Sequence, residues 1–129
     1  MTAARDIIST DAAPRAVGPY SQAVRSGDLV FTAGQIPLDP TTGELVPGAI
    51  EDQTRQVLAN LAAVLEAAGS RLDRVVKMTV FMTDLGQFKA MNAVYADLFP
   101  GDPPARSAVQ VVALPLGAAI EMECVALAD

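Results

Sequence analysis

The spacing of apolar residues along the chain changes several times, and each change predicts a different element of secondary structure. Over the range 49–68 apolar residues recur at helical spacing, and Glu51 and Asp52 fall in the first turn, where the helix dipole favours acidic side chains. A second helical stripe follows Asp84, a candidate N-cap, and stops at the proline- and glycine-rich segment 100–104. The members of this second stripe are Leu85, Phe88, Met91, Tyr95, Leu98 and Phe99.

Short apolar runs predict six strands. They lie at 6–9, at 23–32 as a β-hairpin that turns at Gly27-Asp28, at 75–83, at 105–114 and at 119–124. The run 75–83 is apolar on both sides, with Val76, Met78, Val80 and Met82 on one side and Val75 and Phe81 on the other. The last two runs are separated by Pro115-Leu116-Gly117, and we expect them to pair as a closing hairpin.

This order of elements predicts an α+β fold. Residues 1–129 should form one domain, in which both helices pack on one face of a mixed six-stranded sheet. The strand 105–114 is apolar on both sides, since Val109, Val111 and Ala113 alternate with Ala108, Val112 and Leu114. Two helices can cover only one face of the sheet, so we expect the other face to be covered by self-association.

Composition narrows the class of protein. Hydrophobic residues make up 51% of the chain and the mean hydropathy is +0.32, yet no apolar run is long enough to span a membrane. The N-terminal segment 1–6 lacks the apolar core of a secretory signal, so we expect a cytoplasmic protein. The net charge is −6, which is opposite to the balance that a protein tracking a nucleic-acid backbone needs.

Histidine is absent and Cys124 is the single cysteine. The chain therefore lacks the commonest general base and metal ligand, and it cannot form an internal disulfide, which fits a reducing compartment. A structural zinc site is not expected, and there is no glycine-rich nucleotide-binding motif. We expect neither a metal nor a cofactor, and we expect Cys124 to lie in the core.

Arg106 interrupts apolar sequence close to the C-terminus. The preceding Pro103-Pro104 stiffens the backbone, and the small neighbours Ala105, Ser107 and Ala108 leave room for a ligand. A guanidinium in such a setting is suited to gripping a carboxylate through two parallel hydrogen bonds. The alternative is an ordinary surface arginine at the start of a strand.

Four further polar side chains are candidates for chemistry. Glu121 and Glu123 share one strand face, about 7 Å apart, and either could act as a general base if burial shifts its pKa; the alternative is a solvated sheet edge. Tyr20 follows a rigid Gly-Pro pair, which fixes the position of its ring. Asn92 lies beside the apolar stripe of the second helix, where it contacts either a ligand or the sheet.

Six segments carry a resemblance to a known family. They are Gly18-Pro19-Tyr20-Ser21-Gln22, Thr32-Ala33-Gly34-Gln35-Ile36-Pro37, Val80-Phe81 with Asp84-Leu85, Asn92-Ala93-Val94-Tyr95, Pro104-Ala105-Arg106-Ser107 and Ile120-Glu121-Met122-Glu123. In this order they resemble the RidA (YjgF-type) family of reactive-intermediate deaminases, over nearly the whole chain. The resemblance implies a homotrimer of a chorismate-mutase-like α+β fold, with three ligand sites in the clefts between subunits. It also implies hydrolysis of 2-imino acids, such as 2-iminobutanoate and 2-iminopropanoate, to 2-oxo acids and ammonia.

The resemblance also assigns expected roles to individual residues. Arg106 matches the family's carboxylate-binding arginine, and Glu121 matches the glutamate that activates water. Tyr20 and Asn92 match positions that line the site, and Gly34 matches the backbone that approaches the ligand. The implied reaction needs no metal and no cofactor.

Two site positions depart from the family pattern. Ala33 stands where many members have serine, and Ala108 stands where many have cysteine. We expect the missing serine to weaken one ligand hydrogen bond or to shift the substrate range. The missing cysteine affects any thiol-dependent activity, whereas imine hydrolysis requires no thiol.

A binding or regulatory protein is the rival interpretation. Relatives have been described as translation inhibitors with ribonuclease activity and as chaperone-like proteins, but the net charge of −6 and the lack of histidine argue against RNA cleavage as the main role. A trimer that senses 2-oxo acids through Arg106, without turnover, remains the alternative from the sequence.

Overall fold

The computed structural model describes residues 4–129. Within this range the strands are β1 (Asp6–Ile8), β2 (Ala23–Ser26), β3 (Leu29–Thr32), β4 (Val75–Met82), β5 (Ala105–Gln110) and β6 (Ile120–Leu127). The α-helices are α1 (Ile50–Ala67) and α2 (Phe88–Leu98), and short 3-10 helices cover Leu72–Arg74, Leu85–Gln87 and Pro115–Gly117. Residues 1–3 lie outside the described range. They are the start of the segment 1–6, which is expected to lack the apolar core of a secretory signal. None of the described helices is long and apolar enough to cross a membrane.

The strands form one mixed sheet in the order β1-β2-β3-β6-β4-β5. Among the described strands β4 and β5 run parallel, and all other neighbours run antiparallel. β1 lies at one edge, and β2 and β3 form a hairpin that turns at Gly27, whose φ of 59° is a left-handed conformation that glycine adopts without steric cost. The mixed six-stranded sheet, the edge strand and this hairpin are confirmed.

The predicted closing hairpin is wrong. β5 and β6 are not neighbours, because β4 lies between them and pairs with both. Parallel strands need a crossover connection, and α2 supplies it between β4 and β5. β5 also ends at Gln110 rather than at residue 114, since Gln110 pairs with Met82, the last residue of β4. After the Val111 N–H, which donates to the Met82 carbonyl at 2.8 Å, the chain leaves the sheet, and Val112 is fully exposed.

Helix α1 begins and ends where its sequence predicts. Its first turn contains Glu51 and Asp52, and the Asp52 carboxylate accepts a hydrogen bond from the Ala49 N–H at 3.2 Å. This carboxylate satisfies one of the N–H groups that the start of a helix leaves without a partner. After Ala68, Gly69 takes up a φ of 81°, and its N–H donates to the Glu66 carbonyl at 3.1 Å.

Both helices pack on the same face of the sheet, as predicted, and the core lies between them and the strands. Fully burying one leucine or methionine side chain contributes about 1.5–3 kcal/mol. Cys124 belongs to this core and is 4% exposed, as expected. The largest fully buried side chains are Val30, Val57, Leu58, Leu61, Val64, Leu65, Met78, Val80, Met82, Met91, Ile120 and Met122.

The opposite face of the sheet bears no helix in the described part of the chain. Its apolar members include Phe31, which is 46% exposed, and Val109, which is 43% exposed. The strand registers also place on this face Lys77, Thr79, Phe81, Ser107, Glu121, Glu123 and Val125. A half-apolar uncovered face agrees with the sequence, and its coverage by a second copy of the chain stays a prediction.

Strand β4 departs from the predicted alternation at its start. The register shifts between Val75 and Lys77, so that β4 carries an extra residue opposite Ala126. Val75, which is 8% exposed, therefore takes the buried position predicted for Val76, which is 41% exposed. A bulge adds one residue to a strand and shifts the alternation of its side chains, which the apolar pattern does not reveal.

The apolar stripe of α2 is confirmed except at two members, Leu85 and Leu98. Met91, Tyr95 and Phe99 are buried, whereas Leu85 and Leu98 are 38% and 39% exposed. Leu85 lies in the 3-10 helix that precedes α2, and Leu98 is the last residue of α2. Leu85 therefore lies outside the regular helix, and at the C-terminal end of α2 the core position is taken by Phe99 and not by Leu98.

The bulge predicts that two valines of the same strand differ sharply in their contribution to stability. Val80→Ala should lower the free energy of unfolding by roughly 2 kcal/mol, because it removes two fully buried methyl groups and leaves a cavity. Val76→Ala should change it by less than about 0.5 kcal/mol. Urea unfolding of both variants at one fixed protein concentration checks this, and a larger loss for Val76→Ala would contradict the bulge.

Candidate active site

The residues predicted to form a site fall into two groups in the structure. The first group surrounds Glu121 and includes Gly34 and Tyr20, which line the same cavity of about 630 Å³. The second group surrounds Arg106 on β5, with Asn92 on α2 as its hydrogen-bond partner. The structure therefore gathers the predicted residues into two halves rather than into one pocket.

Arg106 is held by three side chains of α2. Its Nη1 donates to Asn92 Oδ1 at 2.7 Å. Its Cζ lies 5.3 Å from the centroid of the Phe88 ring and 4.6 Å from the centroid of the Tyr95 ring. Phe88, Asn92 and Tyr95 are spaced at i, i+4 and i+7, so they form one stripe along the helix. A cation over two aromatic faces, with one N–H already bonded, has little freedom to reorient.

The Asn92 side chain contacts the sheet, which was one of the two possibilities left open by its sequence. Its Oδ1 is used by Arg106, and the bond joins the helix to the edge strand β5. Asn92 therefore acts on Arg106 directly, by fixing one end of the guanidinium. Its contact with a ligand, expected from the family pattern, stays a prediction.

Glu121 lies against the backbone of Gly34. A Cβ atom at Gly34 would fall 2.8 Å from both Cδ and Oε2 of Glu121, so only glycine leaves room for the carboxylate. The neighbouring Gln35 forms an isolated bridge with Met122, through Gln35 N–H to Met122 carbonyl at 2.8 Å and the reverse bond at 3.1 Å. This bridge fixes Gly34 beside Glu121. The group that lies close to Gly34 is thus a carboxylate, and the approach of this backbone to a ligand, which the family resemblance implies, stays a prediction.

Tyr20 forms part of the wall of the Glu121 cavity. Its ring is 52% exposed, and its hydroxyl accepts a hydrogen bond from the Val17 N–H at 3.2 Å. Gly18, with a φ of 125°, makes the turn that brings Tyr20 to this position. The cavity is also lined by Leu116, which has a φ of 58° and is 72% exposed.

Burial raises the pKa of Glu121, and the nearby charge of Glu123 raises it further. The two carboxylates lie on the same face of β6, with Met122 between them on the covered face. A carboxylate with a raised pKa is a stronger base than an ordinary one, provided that it is still ionised at the working pH. Glu121 therefore has the properties of a general base.

Arg106 and Glu121 lie on opposite faces of the sheet. Arg106 pairs in register with Met78, whose side chain is fully buried under the helices. Glu121 pairs with Phe81, three residues further along β4, and side chains alternate between faces along a strand. Two strand spacings and three residues separate their Cα atoms by roughly 14 Å. A ligand as small as a three- or four-carbon acid does not reach both groups of one chain.

The remaining predicted positions lie beside these two halves. Ala33 precedes Gly34, and its N–H donates to the Gln22 carbonyl at 2.9 Å. Ala108 lies two residues after Arg106 on the same side of β5 and packs against the core. Burial raises the pKa of Cys124 to about 11, so this thiol stays protonated. Within residues 4–129 no three carboxylate or thiol side chains are grouped as metal ligands.

Sequence reasoning did not assign Phe88 and Tyr95 to the site. The helical spacing predicts both as core residues of the α2 stripe, and Tyr95 is indeed 5% exposed. Their spacing from Asn92 was the available signal, since residues at i, i+4 and i+7 on a helix face the same neighbour. What the sequence does not contain is the strand order that brings Arg106 under this stripe.

Comparison with known proteins identifies the family. A family model described as endoribonuclease L-PSP matches residues 10–128. A RutC family protein of Pyrococcus horikoshii is 52% identical, over 95% of this chain and 97% of its own length. The solved structure of RidA from the Antarctic bacterium Psychrobacter has a TM-score of 0.92 and 46% identity, and the match covers 95% of this chain and 99% of that one. The chain belongs to the RidA family.

This RidA family member has relatives whose names state an activity. The 2-iminobutanoate/2-iminopropanoate deaminase of Mus musculus is 46% identical, over 95% of this chain and 91% of its own length. The resemblance and the fold class inferred from the sequence are therefore confirmed, and the family includes imine deaminases. The roles expected for Arg106 and Glu121 in this member stay predictions.

The geometry around Glu121 predicts a change in its titration. In Glu123→Gln the pKa of Glu121 should fall, because a like charge that disfavours the ionised form is removed while burial is unchanged. NMR titration of the Glu121 side-chain carboxyl carbon measures this shift. Glu66→Gln removes the same charge from an exposed position on α1, across the sheet, and should leave the titration unchanged. An unaltered pKa in Glu123→Gln would mean that burial alone sets the value.

Proposed function

We propose that this protein hydrolyses 2-imino acids, such as 2-iminobutanoate and 2-iminopropanoate, to 2-oxo acids and ammonia. The strongest support is the mouse deaminase, which is 46% identical over 95% of this chain and is named for these two substrates. The two half-sites supply what the reaction needs, namely a cation for a carboxylate and a base for water. A working enzyme of this type needs no histidine, which the chain lacks.

Arg106 is the proposed anchor for the substrate carboxylate. Asn92 and the two aromatic rings of α2 hold the guanidinium, and one Nη1 hydrogen bond uses only part of its five N–H donors. The remaining donors are available for a carboxylate. A planar fork fixed in this way suits two parallel hydrogen bonds, which a lysine ammonium does not reproduce.

Glu121 is the proposed general base. It accepts a proton from water as the water oxygen bonds to C2 of the protonated imine, which gives a neutral carbinolamine group. The protonated Glu121 then returns this proton to the nitrogen, the C–N bond breaks and ammonia leaves. Glu121, which is ionised again, takes the hydroxyl proton as the C2 carbonyl forms and passes it to the departing ammonia, so the products are a 2-oxo acid and ammonium and the carboxylate is restored. The raised pKa of Glu121, caused by burial and by the nearby charge of Glu123, makes it a stronger base for the first transfer than an ordinary carboxylate.

The complete site is proposed to lie between subunits of a homotrimer. Arg106 and Glu121 face opposite sides of the sheet in one chain, so the site requires Arg106 from one subunit and Glu121 from the next. A closed ring with such a head-to-tail contact holds one site at each interface. The half-apolar uncovered face, which carries Phe31, Val109 and Glu121, supports this packing.

A shared site predicts that two inactive variants restore each other's activity. Arg106→Lys should lose carboxylate binding, and Glu121→Gln should lose about 10²- to 10⁴-fold in turnover, because an amide does not accept the proton. When the two are unfolded, mixed in equal amounts and refolded, a third of the sites in each mixed trimer pair an intact Arg106 with an intact Glu121. About a quarter of the parent activity should return, since roughly three quarters of the trimers are mixed.

The outcomes of this mixing experiment are distinct. Each variant refolded alone is the control and should stay inactive, and trimer content is measured on the same samples by light scattering. Mixed trimers without restored activity would contradict a shared site. An unmixed Glu121→Gln that turns over substrate at the parent rate would remove Glu121 from the reaction and favour a binding role for the protein.

The contact between Gly34 and Glu121 gives a second prediction. Gly34→Ala should keep the fold but displace the Glu121 carboxylate, because the added methyl group meets the flexible end of that side chain rather than backbone. A displacement on the order of 1 Å should lower turnover about 10²-fold. Gly101→Ala is the matched control, since nothing lies within 4 Å of its added Cβ. Thermal unfolding and imine hydrolysis are measured for both, and full activity in Gly34→Ala would show that the carboxylate position is not critical.

A further inference from the structure

Tyr95 is a buried core residue whose ring also lies against a cation, the guanidinium of Arg106. It is 5% exposed, and its hydroxyl has no hydrogen-bond partner among the residues that the structure describes. A buried hydroxyl without a partner costs free energy, and phenylalanine would fill the same space without that cost. Its ring is also the closer of the two aromatic faces under Arg106, at 4.6 Å against 5.3 Å for Phe88.

The ring of Tyr95 is itself fixed by its surroundings. It packs on Phe99 with the ring centroids 4.5 Å apart, and it belongs to the core between α2 and the sheet. Burial raises the pKa of Tyr95, so the phenol is neutral and offers no negative charge to the guanidinium. Arg106 therefore lies against the negative face of a neutral aromatic ring that its neighbours hold in place.

The three contacts of Arg106 restrict different motions of its planar guanidinium. Asn92 fixes the direction of one N–H by a hydrogen bond of 2.7 Å. A hydrogen bond to one nitrogen still leaves the guanidinium free to rotate about that bond. An aromatic face within cation–π distance of the guanidinium restricts this rotation, and Tyr95 provides the more deeply buried ring.

We propose that Tyr95 is a positioning residue for Arg106, acting through its ring face and not through its hydroxyl. The inference rests on the proposed function in one respect, which is that Arg106 binds the carboxylate of the ligand. Tyr95 does not touch the ligand. It sets the plane in which the free N–H groups of Arg106 present themselves to a carboxylate.

Two substitutions at this position separate the ring from the hydroxyl. Tyr95→Leu should weaken binding of pyruvate about 2- to 30-fold, because a desolvated cation–π contact is lost. Tyr95→Phe should bind pyruvate within about twofold of the parent and should unfold at a higher temperature, because the buried hydroxyl is gone. Calorimetric titration and thermal unfolding measure both quantities. Equal weakening by the two substitutions would overturn the proposal, since the hydroxyl would then be the active group.

A direct readout of Arg106 keeps the proposal testable whatever the ligand is. The Nε–H resonance of Arg106, assigned by its disappearance in Arg106→Lys, should be shielded by the ring in the parent and in Tyr95→Phe. It should move towards the ordinary arginine position in Tyr95→Leu. Phe99→Leu removes a buried ring that packs on Tyr95 rather than on Arg106, so it controls for loss of core packing. If Tyr95→Leu does not fold, Tyr95→Met takes its place, because methionine fills irregular space in a core.

These measurements also separate the two proposals. If the parent protein binds no pyruvate, Arg106 is refuted as the carboxylate anchor. If the Arg106 resonance in that protein is still shielded, and the shielding is lost in Tyr95→Leu, the positioning by Tyr95 stands. Pyruvate binding and an Arg106 resonance that are both unchanged in Tyr95→Leu would refute the positioning alone. A resonance that moves as far in Phe99→Leu as in Tyr95→Leu would also refute it, because general loosening of the core would explain both.

Discussion

The alternation of side chains across a β-sheet is the constraint on which the rest of this structure depends. Arg106 lies on the same sheet face as Met78, and Glu121 lies on the same face as Phe81. Because these two faces are opposite, no change of rotamer brings the two charged groups together within one chain. Each charge is instead supported separately. The guanidinium is held by an asparagine and two rings, and the carboxylate is held by a gap that only glycine leaves. A chain built in this way carries two half-sites that point apart.

The strand order explains how each half-site is assembled. Because β4 and β5 run parallel, the chain must cross over between them, and α2 is that crossover. The helix therefore lies on the face towards which Arg106 points, and its stripe of Phe88, Asn92 and Tyr95 meets the guanidinium. On the other side of β4, β6 carries Glu121 next to the Gln35 bridge. One topological feature, the position of β4 between β5 and β6, thus separates the two groups and supplies the partners of Arg106.

Local features of the sequence predicted most elements, and the errors concern contacts between distant segments. Both helices and all six strands follow from spacing and turn residues that act within a few positions. The pairing of β5 with β4 rather than with β6 depends on segments more than twenty residues apart, which periodicity does not encode. The bulge at Val76 is missed because one extra residue leaves the apolar composition of the strand unchanged. At the site, the family resemblance pointed to Gly34, whereas its contact with Glu121 could not be predicted from the sequence, because the two residues are far apart along the chain.

The two half-sites also differ in how they treat charge, and the proposed reaction requires that difference. Arg106 lies against neutral groups, so its charge is fully available to a carboxylate. Glu121 is half-buried and lies near another carboxylate, which makes its anion less stable and more basic. A protonated 2-imino acid carries a negative carboxylate next to a positive C=N group, so it matches a cation on one side and an anion on the other. The attraction between the iminium group and Glu121 opposes the effects that raise the pKa of Glu121. Glu121 is therefore expected to be most readily ionised when substrate is bound, and to become a stronger base as attack by water removes the charge from the nitrogen.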